Sequence, residues 1–239
     1  MMSPTLKFRE VTPSPLARFE SGVCVVRGRM HIIGGHYGEE LDVTDEHWAY
    51  DLASDQWDRF ADQPEPVSHY TCKVQDDRYA WYTGGYLGKH PGTAVNKTWR
   101  YDAETDTWDE FAPLPVLRAS LGCAIIENKM HVWGGLGEDR NTNFDDHWVP
   151  GLANPDEWKP AAPMPDGRAH FATGVVGAKP TLSAATSTTT RPTRPRARAA
   201  PTSITFTVTT PRPTAGSVFR TYLSADPTSR RRPRRTAAD

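Results

Sequence analysis

His31 to Trp57 reads HIIGGHYGEELDVTDEHWAYDLASDQW, and Trp81 to Trp108 reads WYTGGYLGKHPGTAVNKTWRYDAETDTW. In both, an apolar stretch runs into a Gly-Gly pair, a polar loop follows, then Trp-x-Tyr, and a second Trp closes the stretch. The pattern recurs with one period. Gly34-Gly35, Gly84-Gly85 and Gly134-Gly135 are spaced by 50 and 50 residues. Trp57, Trp108 and Trp158 are spaced by 51 and 50, and Trp48, Trp99 and Trp148 by 51 and 49. Arg18, Arg118 and Arg168 fall on the same grid, with Ser68 in the second slot. Self-similarity at a fixed spacing of this length marks a repeat architecture.

Within one unit the pattern is β throughout. Val23 to Val26 is a short apolar strand, Arg27-Gly28-Arg29 a turn, and Met30 to Gly34 a second strand. His47 to Tyr50 makes a third, Ser54-Asp55 turns the chain, and Gln56 to Phe60 makes a fourth. The third unit repeats this with Cys123 to Ile126, an Asn128-Lys129 turn, and Met130 to Trp133. Four short strands divided by turn residues predict an antiparallel meander. One such sheet cannot bury both of its faces alone, so it stacks on its neighbours; radially arranged units of four strands are propeller blades.

With these marks the sequence resembles the Kelch family, whose pattern is a Gly-Gly pair ending an apolar strand, then a Tyr, then a Trp. Tyr50 with Trp57 and Tyr101 with Trp108 carry the match. The third unit departs from it: Trp148-Val149-Pro150 lacks the Tyr, and Trp158 comes late. The glycines allow close backbone approach, and the aromatics fill the space between blades. The resemblance implies an all-β, Kelch-type β-propeller, here incomplete, with three blades plus parts of others. Phe8 precedes Arg18 by the same step as Trp108 precedes Arg118, and Pro13 and Pro15 match Pro113 and Pro115. Residues 7–15 are therefore expected to be the fourth strand of a blade, which the resemblance implies closes the ring. The expected layout is a tail over 1–6, the closing strand over 7–15, blades over 16–66, 67–115 and 116–165, and the start of another over 166–180.

Composition breaks at residue 181. The net charge of the 239 residues is −1, yet residues 181–239 hold 15 Thr, 11 Arg and 7 Pro, with only Asp226 and Asp239 acidic. All eight Trp lie before the break. A segment so poor in large apolar groups cannot offset its ordering entropy and is expected to be a disordered tail. The Gly-Gly due at 184–185 is replaced by Ala184-Ala185. Back-translation of Leu182 to Thr186 in a shifted frame permits an apolar residue, Gly-Gly and an aromatic on schedule. The same frame over Thr209 to Leu223 permits a match to DAETDTWDEFAPLPV at Asp102. The expectation is a frameshift near Lys179–Thr181 that leaves a truncated propeller. A genuine tail with an anion-attracting patch at Arg230-Arg231-Arg232 and Arg234-Arg235 is the alternative. Without spaced aromatics it is not expected to bind nucleic acid.

Met1 to Glu10 contains no apolar core of a secretory signal, and no stretch is long and apolar enough to span a membrane. Cys24, Cys72 and Cys123 recur at one repeat position and so behave as small buried hydrophobes, which fits a cytoplasmic setting. His31, His131, His47 and His147 also recur with the repeat; packing places them, and no metal site is expected from them. The acidic runs Glu39-Glu40-Asp42 and Asp145-Asp146 lack the spacing of a calcium loop. Arg18, Arg118, Arg168, His69 and His170 precede the innermost strands. In the family's layout they stand at the entrance to the central channel, as a candidate anion-binding mouth. The competing expectation is that they bond to loop backbone where blades meet.

The loops His36 to Glu46, Tyr86 to Lys97 and Leu136 to Asp145 are long and mutually dissimilar, the usual home of partner recognition on a rigid scaffold. No nucleophile elbow, phosphate loop or zinc motif is present, so no catalytic residue and no cofactor is assigned. The expected function is an interaction scaffold for a protein or a small acidic or carbohydrate ligand, monomeric, or prone to aggregate if the ring is open. The family's enzymes, a copper-radical sugar oxidase and a sialic-acid epimerase among them, make a carbohydrate-directed enzyme the alternative; fold alone does not confer it.

Overall fold

The computed structural model describes residues 8–176 and 179–183, and these contain strands, turns and extended chain but no helix. None of the described residues therefore forms a helix long and apolar enough to cross a membrane. Gly22–Val26, Arg29–Ile33, His47–Asp51 and Gln56–Arg59 form the first four-stranded antiparallel sheet, paired in chain order. Thr71–Gln75, Tyr79–Thr83, Thr98–Asp102 and Thr107–Phe111 form the second. Gly122–Ile126, Lys129–Trp133, His147–Gly151 and Asn154–Pro160 form the third. Ala172–Val176 and Lys179–Ser183 pair as a final hairpin. The first strands of consecutive units lie side by side, which gives the units the rotational order of a propeller. Among the described residues nothing closes into a ring.

Local chemistry explains the meander. Arg27 and Gly28 have φ of 50° and 74°, and Glu127 and Asn128 have 50° and 55°. Two consecutive positive φ values are what a two-residue hairpin turn needs to match strand twist. The turn of the third unit is thus Glu127-Asn128, one residue earlier than the expected Asn128-Lys129. The Gly pair serves the next unit's entry. A Cβ on Gly34 would lie 2.6 Å from the Val67 carbonyl oxygen, and one on Gly134 2.6 Å from that of Arg168. The second glycine of each pair donates its N–H to the same carbonyls, Gly35 to Val67, Gly85 to Arg118 and Gly135 to Arg168.

Those bonds correct the repeat alignment. The slot of Arg18, Arg118 and Arg168 is filled in the second unit by Val67, not Ser68. Ser68 pairs with Tyr86 as Phe19 pairs with His36. The step from the slot to the innermost strand is unchanged; the second unit's hairpin turn, 76–78, is one residue longer than 27–28 and 127–128, which a fixed step of 50 conceals.

The Tyr and Trp marks form a clip between units. The Tyr101 hydroxyl donates to Asp106 Oδ1 at 2.9 Å, and the same oxygen accepts the Ala61 N–H at 2.9 Å. The Trp108 indole N–H donates to the Ala61 carbonyl at 2.9 Å. Tyr50, Asp55 and Trp57 hold Thr12 in the same way, at 2.6, 2.8 and 3.0 Å. In the third unit, where Pro150 replaces the Tyr, the Trp158 bond to the Ala112 carbonyl recurs at 3.0 Å, and strand register shifts between Val149 and Gly151.

The first described segment is a partial departure from expectation. Residues 8–14 form no strand, although Thr12 occupies the seat that Ala61 and Ala112 take in the following units. A fourth strand pairs only with the third strand of its own blade, and no such partner is among the described residues.

The core lies between units rather than within them. Ile33, Val67, Tyr70, Ala80, Tyr82 and Tyr101 are packed between the first and second sheets. Trp81, Leu114, Leu121, Cys123, Met130, Val132 and Trp158 are packed between the second and third. The hairpin 172–183 sits 50 residues after its counterpart 122–133 and runs across the compositional boundary at 180/181. Positions 184–185 and the rest of the expected frameshifted tail lie outside the described residues.

Candidate functional site

Each unit enters its innermost strand through one residue in left-handed conformation: Glu20, His69, Ser120 and His170, with φ of 54°, 58°, 54° and 51°. Backbone bonds chain the four together. His69 N–H donates to the Glu20 carbonyl at 3.1 Å, Ser120 N–H to His69 at 2.6 Å, and His170 N–H to Ser120 at 3.2 Å. Their side chains line one cavity of about 300 Å³ with the starts of the innermost strands, Gly22, Tyr70 and Phe171 among them. The backbone repeats at this level, but the side chains do not.

Two of the five expected site residues meet here. The His69 and His170 rings stand edge to face with centroids 5.6 Å apart, and the Ser120 hydroxyl is 2.9 Å from His170 Nε2. Glu20 Oε2 lies 4.0 Å from His69 Nε2. Burial, then the Arg140 guanidinium and the neighbouring histidines, push the His69 imidazole down to about 3, so it is neutral near pH 7.

A chain of bonds assigns its tautomer. The Leu41 carbonyl can only accept, so His36 Nδ1 donates to it at 3.1 Å. His36 Nε2 then accepts from the Ser68 hydroxyl at 3.1 Å, and Ser68 Oγ accepts in turn from His69 Nδ1–H at 3.0 Å. That leaves a lone pair on His69 Nε2, the nitrogen on the cavity side.

The arginines go elsewhere. Arg18 donates to the Glu46 carbonyl at 2.9 Å and the Gly34 carbonyl at 3.3 Å, and meets the Glu46 carboxylate at 3.4 Å; its side chain is 3 % exposed. Arg118 donates to the Leu117 carbonyl and to Asp146 Oδ2, both at 3.0 Å, and its guanidinium carbon stands 3.3 Å from the centroid of the Phe144 ring. The same two carboxylates accept the indole N–H of Trp48 and Trp148, at 2.8 and 3.0 Å. Burial lowers the affinity of both arginines for the proton, partly offset by these acids. Arg168 is placed by its backbone, which donates to Phe144 and accepts from Gly135.

The cation that stands beside His69 is Arg140, from the third loop. Its NH2 lies 3.5 Å from His69 Nε2, its other NH donates to the Pro91 carbonyl, and its guanidinium carbon stands 3.8 Å from the centroid of the Tyr86 ring. Sequence inspection missed it because it stands off the repeat grid, inside a loop whose irregularity was its only signal.

The remaining histidines follow the repeat. His47 Nδ1 donates to the Ala61 carbonyl at 3.1 Å, so its Nε2 accepts from His31 Nδ1 at 2.7 Å. His147 and His131 repeat the arrangement, with 2.9 Å to Ala162 and 3.0 Å between rings. Burial holds His31 down at about 4 and His47 at about 3.

The three long loops are joined to one another. His90 N–H donates to the Leu41 carbonyl at 3.2 Å, and Lys89 bridges Glu40 and Asp42 at 3.2 and 3.4 Å. The Tyr86 hydroxyl donates to the Gly137 carbonyl at 2.8 Å, and Arg140 ties the third loop to the second.

Residues 17–64 match the Kelch motif. The chain is 30 % identical over 182 residues to the Kelch repeat-containing protein At3g27220 of Arabidopsis thaliana, covering 74 % of this chain and 42 % of that protein. It is 27 % identical over 134 residues to human Kelch-like protein 23, covering 54 % of this chain and 22 % of that protein. The chain thus spans less than half the length of the curated relatives it matches. A solved structure titled "Structure of YjhT" superposes with a TM-score of 0.63 at 14 % identity, covering 74 % of this chain and 62 % of that one.

Proposed function

We propose that this chain, whose repeats are Kelch repeats, is a binding module that recognises a protein through the joined rim of its three long loops. The observation that carries this reading is the cross-bonding of the loops into one composite surface through Leu41–His90, Lys89–Glu40 and Arg140–Pro91. Single mobile loops would lose more entropy on binding; loops bonded to each other on rigid blades are already ordered. The first loop carries Glu39, Glu40, Asp42, Asp45 and Glu46 and no Lys or Arg; even with Lys89 on Glu40 and Asp42 and Arg18 on Glu46 its acids outnumber the cations paired with them, which favours a partner presenting basic side chains.

Site-specific photo-crosslinking tests this. A crosslinker at Glu39 or Asp139 on the rim is compared with one at Asp58 or Asp109 on the outer strands, in cell extract. The expected result is a discrete adduct from the rim positions alone, lost when Glu40 and Asp42 are changed to Lys. The same adducts from rim and outer positions would overturn the proposal. The channel mouth, with two imidazoles and a hydroxyl around one cavity and Arg140 beside His69, could add a small acidic group of that partner as a further contact.

A further inference from the structure

We propose that Glu20, His69 and His170 form a site for a divalent transition metal at the channel mouth. Three units of the fold each contribute one ligand, so the site exists only where consecutive blades are stacked. Each residue offers one ligand atom, and these atoms all lie within 4.8 Å of one another, the one such grouping of three among the described residues. Two imidazoles and one carboxylate are the donor set of open, three-ligand zinc and iron sites, which keep a position for water or a ligand group. A tetrahedron with bonds of about 2.1 Å has edges of about 3.4 Å. The donors must therefore draw in by roughly an ångström, which the exposed Glu20 side chain can supply, and His170, also exposed, by turning from its bond with Ser120.

Two further features point to a ligand. The Leu41–His36–Ser68 chain holds His69 Nδ1–H in a hydrogen bond and leaves the Nε2 lone pair on the side of Glu20. This is the outer support that metal-binding imidazoles need, because it sets ring orientation and tautomer together. The backbone belt through Glu20, His69, Ser120 and His170 holds the Cα positions of the three donors, and the Ser120 hydroxyl stands beside His170 as a further oxygen. Against these stands Arg140, 3.5 Å from His69 Nε2, whose charge opposes a cation and lowers its affinity.

Zinc, and cobalt for its absorption bands, are titrated into the full 239-residue chain, with circular dichroism followed alongside. The expected result is one saturable equivalent with cobalt bands of a low-coordinate nitrogen and oxygen site. Glu20→Gln and His170→Asn should abolish those bands while leaving the β-sheet spectrum unchanged. Asn is chosen at 170 because it tolerates positive φ. Ser68→Ala should weaken binding about tenfold by releasing the His69 ring, and Arg140→Ala, which removes no donor, should tighten it several-fold. Absent cobalt bands, bands that survive in His170→Asn, or binding unaffected or weakened in Arg140→Ala would each overturn the proposal.

Discussion

At the residue scale, the histidines divide by what surrounds them. His31 and His47 are buried and bonded to each other, His47 also to a carbonyl, and burial outweighs the pull of Asp106 on both and of Asp62 on His47. Their proton affinities in the folded chain, about 4 and about 3, lie below the usual value of about 6.5 that the unfolded chain retains. As pH falls below 6.5 the unfolded chain takes up protons that the folded chain refuses. Stability is therefore full above that value and declines as pH drops toward 4. Replacing His47 by Thr, the residue that the second unit carries at this place as Thr98, should flatten the decline. Urea midpoints between pH 7 and pH 4.5 provide the measurement, and an unchanged slope in His47→Thr would contradict the assignment.

At the element scale, the blade is a unit only together with its neighbour. The Tyr-Asp-Trp clip joins the hairpin of one sheet to the exit segment of the sheet before it, so the most recognisable sequence marks are contacts between elements. Trp108→Phe keeps much of the apolar contact and removes the bond to Ala61, and should cost about 1 kcal/mol in chemical denaturation. Trp108→Ala should cost about 3–5 kcal/mol because it also opens a cavity against Tyr82 and Tyr101. Strand order, hairpin turns and the spacing of the Gly pairs were legible because period and turn chemistry are local. The Val67 slot was not, because the extra residue in the second unit's hairpin turn, 76–78, offsets the slot from the Gly pair that fixed the register. Nor was the extended form of residues 8–14, for which no pairing strand is among the described residues.

At the scale of the whole molecule, apolar burial between units leaves the first and last faces of the stack without a partner among the described residues. Val23 and Val25, on the innermost strand of the first sheet, are 53 % and 60 % exposed, where buried positions such as Cys123 hold the corresponding strand of the third. A patch of this kind on a sheet with unpaired neighbours favours self-association. Val23→Thr with Val25→Lys should reduce light scattering on concentration without altering the β-sheet spectrum. Equal scattering would show that this face is covered in solution.

The candidate site was half legible. His69 and His170 were recognised from their place before the innermost strands, and those two converge. Arg18 and Arg118 share that region of the sequence but turn to Glu46 and Asp146, acids nearly thirty residues away. Glu20 and Arg140 carried no mark in the chain.

From the residues alone came the repeat, its length, and the meander inside it, because turn dihedrals and the alternation of apolar strands are properties of neighbouring residues. Tertiary structure alone decided which side chains share the cavity. Four positions with the same backbone hold Glu, His, Ser and His, and whether they form a site depends on the rotation that stacking imposes and on charges supplied by other units.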